Sequence, residues 1–129
     1  MASRKLISTG DPWESVVGYS RAIRFGNVIE VAGTTAVKDG QVVAKGDPYG
    51  QTRFILEKIK GAVEEAGGKM EDTVRTRIFV TDIAHWQQVG KAHGEFFRDI
   101  RPASSMVEVS ALVNPEMLVE IELTAVIKK

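Results

Sequence analysis

The chain contains no cysteine, which excludes disulfide staples, thiolate nucleophiles and cysteine-bound metals. It also lacks an excess of either charge. Seventeen basic residues balance 17 acidic ones over 129 positions, for a formal charge of zero. A nucleic-acid binder ordinarily carries a basic surplus that displaces counterions from phosphates, and that footprint is missing. Aromatic residues make up only 7% of the chain, too few to suggest base-stacking platforms. Nucleic acid is therefore not the expected partner. No uncharged apolar run approaches the ~20 residues that cross a bilayer, so no membrane partner is expected either. The two histidines, His85 and His93, are too few and too scattered for a metal constellation. No phosphate loop, dinucleotide fingerprint or Gly-x-Ser-x-Gly elbow occurs, and no cofactor is expected. The opening "MASRKLISTG" has no apolar signal-peptide core, which makes the cytoplasm the expected location.

What is present is an ordinary globular composition, 43% apolar and 26% charged, of a length that suits one domain over residues 1–129. Residues 1–18 carry Gly10, Pro12 and Gly18 with little periodicity and read as an N-terminal arm, with a short strand at Leu6 and Ile7. In "SRAIRFGNVIEVAG", two β-rich runs flank Gly26-Asn27, a hairpin signal. Asp39-Gly40 marks a second turn. Asp47 is suited to cap a helix and Pro48 to begin it. Ile55, Ile59, Ala62, Val63 and Ala66 then fall on one helical face until Gly67-Gly68 stops the run.

"TVRTRIFVTD" alternates as a strand does, with Val74, Ile78 and Val80 on one side and Arg75, Arg77 and Phe79 on the other. Asp82 is placed to cap a second helix bearing Trp86, Val89, His93 and Phe97 at helical spacing. His93, on that apolar stripe, reads as a core-edge residue. Two closing strands follow, residues 105–112 and 118–127, joined through Asn114-Pro115. Val107, Val109 and Ala111 share a face of the first, and Val119, Ile121, Leu123, Ala125 and Ile127 a face of the second. The order β-β-(β)-α-β-α-β-β predicts a two-layer α+β domain with both helices over one apolar sheet face. The opposite face collects Arg75, Arg77, Phe79, Met106, Glu108, Leu118, Glu120, Glu122 and Thr124. Such a mixture suits self-association with paired charges, the alternative being an antiparallel sheet face open to water.

"GYSRAIRFGNVIEVAGTT", "RIFVTDIAHW" and "RPASSMVEVSALVNPEMLVEIELTAVI" together resemble the RidA (YjgF) family, long described also as the L-PSP endoribonuclease or translation-inhibitor family. The match runs from about Gly18 to the C-terminus. The resemblance implies a chorismate-mutase-like α+β fold. It further implies a homotrimer whose sheets form a central barrel with the helices outside, and three small-molecule clefts between neighbouring subunits. The best-known family activity is hydrolysis of reactive enamines and imines, made by pyridoxal-phosphate enzymes, to 2-keto acids and ammonia.

In those members a Pro-Ala-Arg-Ser motif supplies an arginine that clamps the substrate carboxylate. This chain reads Pro102-Ala103-Ser104-Ser105, so a serine stands where the arginine is expected. A guanidinium fork binds a carboxylate through two charge-assisted bonds, whereas a hydroxyl offers one neutral bond. Other family positions are retained. Tyr19 matches the tyrosine that lines the cleft, Gly33 a glycine whose backbone meets the ligand, and Glu120 the acid that helps place the attacking water. Glu120 is thus the candidate catalytic residue, its alternative being an ion pair with Arg75 or Arg77.

Arg101 is a candidate replacement clamp, although odd spacing in an extended chain would point it away from Ser104's side; the alternative is a solvated loop arginine. Arg21, two residues beyond Tyr19, is a second candidate anion contact, or else an interface salt bridge with Glu30. Ser104 and Ser105 read as cleft-lining hydroxyls with Met106 beside them, since no histidine is spaced to be an evident partner. The expected function is a trimeric imine or enamine hydrolase with weak or no activity on 2-aminoacrylate. The alternatives are a non-catalytic small-molecule-binding or chaperone-like protein, and third an endoribonuclease or translation inhibitor.

Overall fold

The computed structural model describes residues 3–128. A six-stranded sheet forms one layer, in the order β1-β2-β3-β8-β6-β7. β1 (Arg4–Ile7), β2 (Ala22–Phe25), β3 (Val28–Thr34), β8 (Val119–Val126) and β6 (Thr73–Val80) pair antiparallel, each with the next, and β7 (Ala103–Glu108) lies parallel to β6. A parallel neighbour needs a crossover, which α3 (Trp86–Phe97) provides. The hairpin at Gly26-Asn27 closes with Phe25 paired to Val28, and Gly26 takes the positive φ (61°) that a two-residue loop requires. Asp39-Gly40 joins β4 (Val37–Lys38) to β5 (Gln41–Val42) in a separate two-stranded ribbon, the third β unit of the expected order.

α2 (Pro48–Glu65) begins as its sequence dictates. The Asp47 carboxylate accepts from the Gly50 amide, with Pro48 in the first turn. At the other end Gly67 turns left-handed (φ 96°) and the Gly68 amide closes back on the Val63 carbonyl. Both helices cover one sheet face. Ile55, Leu56, Ile59 and Val63 of α2 and Val89 and Phe97 of α3 meet Ile29, Ile78, Val80, Val119, Ile121 and Leu123, nearly all with no exposed surface. Each such side chain contributes about 1.5–3 kcal/mol by leaving water, which is what holds the layers together.

Five local expectations require correction. The N-terminal arm is ordered over its described part: beyond the expected strand, residues Pro12–Val17 form a short helix, α1, capped by Asp11. Six residues show too little periodicity to announce a helix. Val74 is exposed while Thr76 is wholly buried, because an irregularity between Thr73 and Arg75 shifts the phase of alternation. Asp82 caps a 3-10 turn, Ile83–His85, that leads into α3, and Trp86 at the start of the helix is 55% exposed. β7 starts two residues earlier than expected, and its Val107 is exposed. Met106 packs against the core instead of the open face, because Met106 lies opposite buried Ile78 in the parallel pairing.

Candidate functional site

Alternation along β8 buries Val119, Ile121, Leu123 and Ala125 and turns Glu120, Glu122 and Thr124 to the open face. Beside them β3 breaks register between Val31 and Thr34, and Gly33 lies in that irregularity. The backbone there passes so close to Glu120 that any Cβ on Gly33 would collide with its Oε2 and crowd Cδ. What glycine supplies here is room for the carboxylate, not an unusual φ. Glu120 is half-buried, and burial raises the pKa of its carboxyl; the nearby charge of Glu122 adds to the rise and Arg21 opposes it. The expected arginine partners are engaged elsewhere. Arg77 lies 3.9 Å from Glu122, and Arg75 donates to Ser105 Oγ at 3.3 Å. Among the described residues no salt bridge holds Glu120, so its carboxyl is suited to lend or take a proton.

Arg21 is 3% exposed, and within one chain its polar partners are specific. Its guanidinium donates to the Gly33 carbonyl (2.7 Å), to Thr34 Oγ1 (2.8 Å) and to the Tyr19 hydroxyl (3.1 Å). Its acidic neighbour is Glu14, at 3.8 Å, and not Glu30, which accepts from Thr124 instead. Glu14 is itself buried. Burial alone would raise its pKa, but hydrogen bonds from Thr9 and Ser8 together with the Arg21 charge hold it below the usual value. Arg21 therefore braces Tyr19 and Gly33 against each other beside Glu120. Its buried Nε has no hydrogen-bond partner among the described residues. Sequence reasoning missed the brace because Glu14 lies in α1, the helix it did not find. Tyr19 also borders a hollow of about 550 Å³ on the open face, lined among others by Arg4, Glu30, Arg77 and Glu122.

The remaining candidates sit at the far edge of the sheet. Ser105 faces the same side as Arg75, while Ser104 turns to the helix layer, where Thr76 Oγ1 donates to its hydroxyl at 2.8 Å. Thr76 in turn lies 2.9 Å from His93 Nε2. Burial lowers the pKa of His93 and so favours the neutral ring. Arg101 has a left-handed backbone (φ 58°), its amide closing back on the Phe97 carbonyl to end the turn that follows α3. That bend overrides the simple alternation argument. It places Arg101 in a hollow of about 270 Å³ with His93, Arg98 and Pro102.

The eight candidate residues thus fall into two groups. Tyr19, Arg21, Gly33 and Glu120 cluster on the open face. Ser104, Ser105, Met106 and Arg101 belong to the β7 edge. Val107 and Glu120 both pair with Phe79. From that row, strand spacing and rise put Glu120 and Ser104 roughly 14 Å apart, on opposite sheet faces. One chain does not bring them together.

The sequence model of the family described as endoribonuclease L-PSP matches residues 9–127. A RutC family protein of Pyrococcus abyssi is 34% identical over 125 residues, covering 95% of this chain and 97% of its own. Among solved structures, a Mycobacterium tuberculosis member of the YjgF/YER057c/UK114 family superposes with a TM-score of 0.89 at 49% identity, covering 97% of this chain and all of that one. The Escherichia coli YjgF gene product gives 0.84 at 33% identity, covering 96% and 99%. The α+β sheet with two covering helices is the fold of this class. The chain belongs to the endoribonuclease L-PSP family, which includes the YjgF, RidA and RutC proteins.

Proposed function

We propose that the protein is a homotrimeric hydrolase of a small reactive imine or enamine that does not depend on a carboxylate anchor. The observation that carries this reading is Glu120, half-buried, raised in pKa and free of a cationic partner, pressed against Gly33 beside the braced hydroxyl of Tyr19. Water adds to the carbon of the C=N bond while Glu120 takes its proton. The same carboxyl returns that proton to nitrogen, and collapse of the carbinolamine expels ammonia and leaves a carbonyl. Ser104, in place of the clamping arginine of the deaminases, leaves a substrate carboxylate without a forked partner.

Assembly supplies what one chain lacks. Exposed Leu6, Phe25, Val28, Val107 and Val126 accompany charged groups on a face with no cover, which suits burial against further copies. A cleft between neighbours can then join the Tyr19–Gly33–Glu120 group of one copy to the β7 edge of another. A binding protein without turnover is the second reading, favoured by the missing clamp at Ser104.

The experiment is ammonia release from freshly generated imines, with the trimer verified by light scattering. Turnover of imines without a carboxylate, lost about 100-fold or more in Glu120→Gln, is the expected result. 2-Aminoacrylate should be a poor substrate, and Ser104→Arg should lower its KM by supplying the forked carboxylate contact. A panel with no turnover would refute hydrolysis, and a monomer at micromolar concentration would remove the intersubunit cleft.

A further inference from the structure

We infer that His93, Thr76 and Ser104 form a proton relay whose outer end, the Ser104 hydroxyl, is the acid–base group at the β7 side of the ligand cleft. The inference rests on the reading that Ser104 borders that cleft. The ligand it serves is a small neutral molecule presenting a hydroxyl, a carbonyl or an imine nitrogen.

The fold itself assembles the relay. Thr76 and Ser104 lie opposite each other in the parallel β6–β7 pair, and α3, the crossover between those strands, lays His93 over Thr76. The two links measure 2.9 and 2.8 Å, both good hydrogen-bond distances. Thr76 is wholly buried and His93 partly so, whereas Ser104 is exposed. The chain therefore runs from the interior to an open end.

A hydroxyl has one proton to give. When Thr76 donates to Ser104, His93 must present Nε2–H to Thr76, and the Ser104 proton points outward as a donor. When both hydroxyls rotate, Ser104 donates to Thr76 and Thr76 to a bare Nε2, and Ser104 offers its lone pairs outward. In that second state a proton leaving a ligand hydroxyl or an attacking water passes to Ser104 Oγ. Ser104's own proton moves to Thr76, and Thr76's to Nε2, leaving an imidazolium. The reverse sequence protonates a ligand nitrogen; in imine hydrolysis this is the second proton, taken from the carbinolamine hydroxyl, that lets nitrogen leave as ammonia after Glu120 has delivered the first. Arg98 and Arg101 are the charged groups that share the hollow beside His93, and among the described residues no carboxylate lines it. The imidazolium is thus not trapped by a counterion, and the proton can return.

The test uses the full chain and two readouts. Nitrogen-15 spectra of the His93 ring report its tautomer. Ser104→Ala, at an exposed position, leaves Thr76 only His93 to donate to, and the ring should shift toward the Nδ1–H form. Ring signals unchanged by Ser104→Ala would overturn the relay. In imine hydrolysis, Ser104→Ala and His93→Gln should each lose about 100-fold in kcat with KM within about threefold, since glutamine can donate to Thr76 but cannot carry the relayed proton. Parent-like kcat in both variants would likewise overturn it. If the parent releases no ammonia at all, the hydrolase reading fails by itself, and the tautomer shift alone decides the relay.

Discussion

Gly33→Ala tests the architecture of the Glu120 site directly. The φ of Gly33 is not in the left-handed region, so alanine suits the backbone. By restricting the unfolded chain it should stabilise the fold by about 0.4–1 kcal/mol. Against this, the new Cβ overlaps the Glu120 carboxyl group. Because the obstacle is the far end of a flexible side chain, Glu120 swings aside, at a cost of about 0.5–1.5 kcal/mol if it leaves its preferred rotamer. The two effects nearly offset, and the net change should lie within about 1 kcal/mol. In a Glu120→Ala background the obstacle is gone, and the same substitution should be plainly stabilising. A double-mutant cycle by urea denaturation at fixed protein concentration should therefore give a coupling of about 0.5–1.5 kcal/mol. Carboxyl-carbon NMR should show the titration of Glu120 falling toward the ordinary range in Gly33→Ala, because the displaced group leaves its half-buried position. An unchanged Glu120 titration with zero coupling would refute the claim that Gly33 is kept small for the carboxylate.

Arg21→Gln should destabilise by about 3 kcal/mol, since it strands a buried carboxylate and frees two hydroxyls and a carbonyl at once. The expected fall in Tm is roughly 10 °C, and Arg21→Lys should recover only part of it. A loss below about 1 kcal/mol would show that the brace is dispensable. Glu120→Gln should stabilise the protein at neutral pH while reducing activity. The folded-state pKa of Glu120 lies above its unfolded value, so its favourable contribution is present below the unfolded pKa and is lost as pH rises through the folded pKa. The Tm of Glu120→Gln should thus exceed that of the parent by a few degrees at pH 7, with the gap closing near pH 4. A constant gap across that range would assign the effect to something other than the charge.

Local chemistry made much of the molecule legible from residues alone. Turns and caps are contacts between near neighbours, so Gly26-Asn27, Asp39-Gly40, Asp47-Pro48 and Gly67-Gly68 each announce the break that the structure shows. The even alternation of β8, unbroken by any bulge among its eight residues, correctly assigns Glu120 to the open face. Where alternation is interrupted, at Val74 and at Gly33, parity fails, because the interruption is set by pairing with a strand far off in sequence. The same distance hid the site's supports. Arg21 lies 13 residues from Thr34 and seven from Glu14, yet burial in one pocket joins them, and no spacing rule encodes that meeting. Composition and motif could place Ser104 at the entry to a strand and His93 on a helix. Only a parallel β6–β7 pair beneath α3 decides that a buried threonine stands between them, because strand order and register are properties of the folded sheet and not of any single segment.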